Sequence, residues 1–140
     1  MRVANRIAIA VHILSLLGTD EQANNTSEWM AGSIGVNPVI VRNVTGMLRR
    51  AGLVVTQQGV AGAFLSRKPA EITLLDVYRA VEPDGEIFSI HARPNPKCPV
   101  GAKIEDALEK HFTAAQQAME ARLARVTLKQ VIHDIQAASG

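Results

Sequence analysis

Glycine and proline punctuation between residues 25 and 66 constrains what this chain can fold into more than any other feature. Gly35, Pro38, Gly52, Gly59 and Gly62 cut that stretch into short pieces, each with room for a single helix or strand. Asn25 or Thr26 suits a helix N-cap, Met30, Ala31 and Ile34 share one helical face, and Gly35 stands where a helix C-terminus prefers glycine. Asn37 can cap the next helix, and Pro38 fits its first position, where the missing N–H is not needed. That helix runs to about Arg50 and ends near Gly52. Leu53 to Gln57 is β-rich, Gln58 to Gly62 is a turn with two glycines, and Ala63 to Ser66 reads as the returning strand. The order is helix, tight turn, helix, hairpin.

The flanks are helical. Val3, Ile7, Val11, Leu14 and Leu17 recur at helical spacing, with Ile9, Ile13 and Leu16 as a second stripe, until Gly18. Thr73 with Asp76 three residues on resembles a capping box that opens a helix through Val81, closed by Pro83 to Gly85. Glu86 to Ile90 is a short apolar patch, and three prolines in His91 to Pro99 forbid regular helix there. From Pro99 to about Val126 a long helical pattern places Ile104, Leu108, Phe112, Ala115, Met119 and Leu123 on one stripe, with Ala114, Ala118 and Ala121 on another. A last amphipathic helix runs from Leu128 to about Ala137. Residues 1–82 thus form one domain, 83–98 a linker loop, and 99–140 a long helix with a terminal helix. With 47% hydrophobic and only 4% aromatic residues, the core must be built from Val, Ile, Leu and Ala.

Two short helices followed at once by a glycine-turned hairpin is the order of a winged helix-turn-helix, so the fold class is mainly α with a small β-hairpin wing. At about 100° per residue the helix from Pro38 sets Val41, Val44 and Leu48 on one side and Pro38, Val39, Arg42, Gly46 and Arg49 on the other. The outward face is therefore cationic. Charge is distributed accordingly: residues 1 to 68 hold seven Lys/Arg against three Asp/Glu, a balance of +4, and residues 69 to 140 hold eight against ten, or −2. Double-stranded DNA is the partner this arrangement suits. Arg42, in the first turns, can donate in bidentate fashion to guanine O6 and N7, and its neighbour Asn43 can read adenine. Asn37, Pro38 and Val39 present the helix start. Arg49, Arg50, Arg2, Arg6, Arg67 and Lys68 are placed for phosphates, and the slim Gln58–Gly59 to Gly62 tip for a minor groove, with Gln58 as its contact. A winged helix can also serve as a protein- or ligand-binding module, which makes that the competing function.

The chain resembles the Rrf-two family of winged-helix transcriptional regulators, in its YwnA-like branch. The resemblance is carried by Asn37-Pro38-Val39-x-Val41-Arg42, Leu48-x-x-Ala51-Gly52-Leu53, Gly59-x-x-Gly62, the run Ile72 to Val81, and Pro94 to Gly101, and it covers almost the whole length. It implies a homodimer held by the long C-terminal helix, bound to a partly palindromic operator, usually as a repressor. Independently, one small domain has difficulty covering both stripes of the long helix, which favours a partner helix over an intramolecular pair. Better-known relatives hold an iron-sulfur cluster through three cysteines before the dimer helix. This chain departs from them: it has Cys98 alone, and one thiolate cannot hold a cluster that takes four ligands. No cofactor is expected. Ala63 stands where many relatives have a second adjacent glycine in the wing.

Cys98 precedes Pro99, which would set its thiol at the N-cap of the long helix, with Arg93, Lys97 and Lys103 near in sequence. A thiolate favoured there makes Cys98 the candidate sensor of oxidants or electrophiles, against the commoner reading of an inert thiol. His12, His91, His111 and His133 lack metal-ligand spacing. Neither an orienting residue nor a pocket signature accompanies Cys98 and His91, so no enzyme is expected. The apolar runs, interrupted by Arg6 and His12, are too short to span a bilayer, and the single cysteine suits a reducing compartment; the expected location is cytoplasmic.

Overall fold

A computed structural model describes residues 3–19, 25–82, 84, 88 and 94–139. Among these residues eight helices and strands follow in order: α1 (Val3–Leu17), α2 (Ser27–Ile34), α3 (Pro38–Arg50), β1 (Val54–Gln57), β2 (Val60–Leu65), α4 (Leu74–Val81), α5 (Ile104–Leu123) and α6 (Leu128–Ser139), with a 3-10 turn at Pro69–Glu71 before α4. This is the mainly helical, hairpin-bearing class that the sequence announces.

Side-chain chemistry sets the helix ends. Thr26 accepts from the Trp29 N–H, Asn37 from the Val39 N–H at 2.8 Å, and Thr73 and Asp76 close a reciprocal capping box at 3.1 and 2.9 Å. At the other ends Gly35 (φ 83°) and Gly52 (φ 80°) take the left-handed conformation. Behind Gly52 the Leu53 N–H reaches back to the Leu48 carbonyl, the 6→1 bond that stops α3 and launches β1.

Four helices and the hairpin share one core. Ile13 and Leu14 of α1, Met30 of α2, Val41, Val44 and Leu48 of α3, Leu53 and Val54 at the start of the hairpin, and Val77 and Val81 of α4 are all shut away from solvent. The terminal helix joins them. The backbone around Ile72 to Leu74 pairs with Val126 to Leu128, and Leu128, 1% exposed, enters the same cluster. α6 is thus physically part of the winged unit, although about twenty residues of α5 separate it from that unit in the chain.

α5 is different. None of its residues is buried, and its inward contacts are made to α4 through Arg79 to Glu120 (3.1 Å) and Gln116 to the Tyr78 hydroxyl (3.2 Å). Phe88 stacks on Phe112 with ring centroids 5.1 Å apart. Ile104, Leu108, Phe112, Met119 and Leu123 are half-covered, whereas Ala114, Ala118 and Ala121 are exposed. Ala115, expected on the inner stripe, is exposed, and Gln116 takes its place by bonding Tyr78.

Candidate nucleic-acid interface

α3 carries the candidate surface. Its apolar side is anchored by Val41, Val44 and Leu48, which turns Val39 (50% exposed), Arg42, Asn43, Arg49 and Arg50 outward. Asn37 is exposed at the cap and Pro38 half-buried. Gly46 differs from expectation: it lies on the outward arc yet is buried, because the Arg50 guanidinium folds back over it. A Cβ built on Gly46 would stand 3.3 Å from Arg50 Nη1. The groove left by the missing side chain holds the cation.

Arg42 is held as well. Its Nη1 donates to Glu28 Oε1 at 3.3 Å, linking the second turn of α3 to the first turn of α2. Glu28 carries no signal in the sequence, since a contact spanning fourteen residues between two helices has no local pattern.

The wing is tighter than its sequence suggests. β2 begins at Val60, so the turn is Gln58–Gly59 alone, with Gly59 at φ 77° and both residues exposed. Pairing of Val55 with Phe64 and of Gln57 with Val60 leaves Thr56 opposite Ala61, Gly62 and Ala63, a bulge. Gly62, expected in the turn, sits in that bulge at φ 91°, and a Cβ there would come within 2.6 Å of Asn25. Gly62 is therefore a packing residue that lets the start of α2 brace the wing, and Asn25 is the partner the sequence does not reveal.

The remaining cations divide. Arg6 is engaged within the fold: its Nη1 donates to the Val81 carbonyl at 2.8 Å and approaches Glu82 Oε1 at 3.1 Å, tying α1 to the end of α4. The carboxylate approach satisfies distance but not hydrogen-bond alignment, so that part is Coulombic. Arg67 is exposed and stands 3.7 Å from Asp76; Lys68 is exposed at the start of the 3-10 turn. Arg2, His91 and Arg93 lie outside the described residues, as does the apolar patch apart from Phe88. His12 bonds Ser33 at 3.1 Å across α1 and α2.

Cys98 is exposed but is not the cap of the long helix. α5 starts at Ile104 with Lys103 as its N-cap, and residues 99 to 103 form turns instead. Proline at 99 does open one helical turn, closed by the Ala102 N–H on the Cys98 carbonyl at 2.8 Å, and further turns follow up to Lys103 before α5 begins. Within that turn the backbone N–H groups of Gly101, then Val100, point at the thiol and hold it below the ordinary thiol range, against slight desolvation. Gly101 is required there, since a Cβ would overlap the Asn95 carbonyl.

The model of the family Rrf2, described as iron-dependent transcriptional regulators, matches residues 3–134. The chain belongs to the Rrf2 family. It is 46% identical over 133 residues, 95% of this chain and 98% of the other, to YwnA of Bacillus subtilis (strain 168), named as an HTH-type transcriptional regulator. A crystal structure named for a DNA-binding protein superposes with a TM-score of 0.76 at 45% identity, covering 91% of this chain and 98% of that one. The cysteine regulator CymR of B. subtilis shares the fold at TM-score 0.68 and 18% identity, covering 95% and 97%.

This Rrf2 chain is accordingly a DNA-binding transcriptional regulator rather than an enzyme. Its residues do not fit the iron centre that the family description implies. Cys98 is the sole cysteine, and among the described residues no three His, Cys, Asp or Glu side chains gather as a metal site.

Proposed function

We propose that this regulator works as a homodimer that reads a partly palindromic operator through α3 and represses from it, with Cys98 as its sensor. The observation that carries the reading is the outward face of α3. Arg42 and Asn43 lie in its first two turns and Arg49 and Arg50 at its end, with the exposed Gln58–Gly59 turn alongside. Early residues of a recognition helix meet base edges, and cations at its end and along the flanks meet phosphates. Arg42 and Asn43 are the base readers, and Arg49, Arg50, Arg67 and Lys68 the phosphate contacts. Arg6 is left out, because withdrawing it would uncouple α1 from α4.

The exposed alanine stripe of α5 supports dimerisation, since small residues allow a second helix to approach closely and nothing in this chain occupies that side of α5 among the described residues. Two α3 helices would then address two half-sites. Sensing by Cys98 rests on exposure and on a thiolate stabilised by two backbone N–H groups.

Enrichment of duplexes from a random pool tests the function. A single recurrent motif is expected, bound with a steep negative dependence on salt. Arg42→Ala should relax preference at one base position and cost operator affinity by roughly tenfold or more, whereas Arg49→Ala should weaken all duplexes alike. Absence of any enriched motif would overturn the reading.

A further inference from the structure

An acidic residue stands at the candidate reading face, bonded to Arg42. Glu28 occupies the first turn of α2, after the Thr26 cap, where a helix N-terminus favours a carboxylate. In a helix-turn-helix the first helix of the pair crosses the nucleic-acid backbone, so a carboxylate at this place faces phosphates and opposes binding of any duplex. Arg42 and Glu28 are both well exposed, at 53% and 74% of their side chains, so a pair of this kind contributes little to the fold. Its position instead bears on recognition.

We infer that Glu28 is a specificity-determining residue that positions Arg42 for guanine and suppresses binding to other sequences; this rests on the DNA-reading function proposed above. The contact is monodentate. Glu28 Oε1 takes Nη1, which leaves the edge formed by Nη2 and Nε free, and that edge supplies the two parallel donors that guanine O6 and N7 accept. A guanidinium tethered through its third side enters the groove already oriented. On a sequence without guanine at that position, Arg42 stays neutralised by Glu28 and releases no counterion, while the carboxylate repels the backbone. The repulsion lowers affinity for every duplex alike, and the orientation of Arg42 restores it only where guanine stands, so discrimination comes from the tether and the low background from the charge.

Two substitutions separate these contributions. Glu28→Gln keeps an oxygen acceptor and removes the charge, whereas Glu28→Ala removes both. The site is exposed at a helix start, so both variants should leave the fold intact, as circular dichroism would verify. Affinities for the enriched duplex and a scrambled duplex would be measured across a salt series for wild type, both variants, Arg42→Ala, and the double variants. Glu28→Gln is expected to tighten scrambled DNA severalfold and to steepen its salt dependence by about one counterion. Glu28→Ala should in addition loosen the operator, so that the ratio of the two affinities falls about tenfold and the loss maps to the base that Arg42→Ala relaxes. In the Arg42→Ala background neither change should lower the ratio further. An unchanged ratio in Glu28→Ala, or an equal fall with Arg42 absent, overturns the role of Glu28 while Arg42→Ala still confirms DNA reading; failure of the wild type to select any motif overturns both.

Discussion

Gly46 shows how one missing side chain links stability to recognition. Mid-helix glycine costs about 1 kcal/mol relative to alanine, and at a position facing outward no core packing requires it. The nearest atoms to a new Cβ are those of the Arg50 guanidinium, 3.3 Å away, at the far end of a flexible side chain. Gly46→Ala should therefore raise stability to chemical denaturation by about 0.5–1 kcal/mol. Operator affinity should fall at the same time, because the methyl group lifts the helix off the base edges and displaces Arg50. A variant that is both more stable and a stronger binder would refute this account.

Cys98 allows a second prediction at this scale. Backbone N–H groups from Gly101 and Val100 favour the thiolate over the thiol, so the folded-state pKa is lowered. An acid with a lowered pKa is ionised in the window below the ordinary thiol range, and its advantage over a free thiol is present at neutral pH and vanishes at alkaline pH, where both are ionised. The pH profile of iodoacetamide alkylation should accordingly have its midpoint below that of an unstructured cysteine peptide. Gly101→Ala should move it back up, since the Cβ overlaps the Asn95 carbonyl and breaks the turn. Coincident profiles for wild type and peptide would show that the turn does not act on the thiol.

Elements announced by capping chemistry are legible in the sequence, and those set by distant contacts are not. Asn37, Thr73 with Asp76, Gly35 and Gly52 mark helix ends by side-chain bonds or a left-handed backbone, all local, and all stand where the sequence puts them. Gly62 illustrates the opposite case. A glycine five residues past the end of the first strand suits a turn or a bulge equally, and Asn25, thirty-seven positions earlier, packs against it in the bulge. The start of α5 escapes sequence reading too: Cys98-Pro99 does open a helical turn, but residues 99 to 103 stay in turns and the helix begins only at Ile104, behind Lys103. On the candidate site, the outward set of α3 is readable from periodicity, while Arg42 to Glu28 and Arg50 over Gly46 depend on side chains folding across helices.

α5 carries the prediction at the element scale. A helix with no buried residue and an exposed line of Ala114, Ala118 and Ala121 has apolar surface on two sides and only one of them faces the chain's own α4 and Phe88. Small residues on the free side fit a close helix–helix approach at about 8 Å, which a carboxylate in the seam would prevent. Ala118→Glu should shift sedimentation equilibrium from dimer to monomer without loss of helical signal, since an exposed mid-helix glutamate is a good helix former. Persistence of the dimer in this variant would place the interface elsewhere.

At the scale of the whole molecule, the chain leaves its core at α4, travels out along α5 and comes back. The return is secured by backbone bonds, Leu74 N–H to the Val126 carbonyl at 2.9 Å and Leu128 N–H to the Ile72 carbonyl at 2.8 Å, and by Leu128 itself. This closure places α6 against α1 and the turn that leads out of the wing, so the candidate dimer helix is anchored at its C-terminal end in the unit that bears α3, and Gln116 and Glu120 tie it a second time, to α4. Any displacement of α5 would then reach the winged unit through contacts at two points. The consequence for stability is measurable. Removing three carbons from a side chain 1% exposed leaves a cavity, and Leu128→Ala should cost about 2–5 kcal/mol. Trp29 supplies the readout, because the only tryptophan of the chain sits at the start of α2, on an element distinct from α6, and is 44% exposed. If α6 belongs to the core, the denaturant midpoint followed by Trp29 fluorescence must fall together with that followed by helical signal. A Trp29 transition left unmoved by Leu128→Ala would mean that α6 is an appendage and that no such two-point coupling exists.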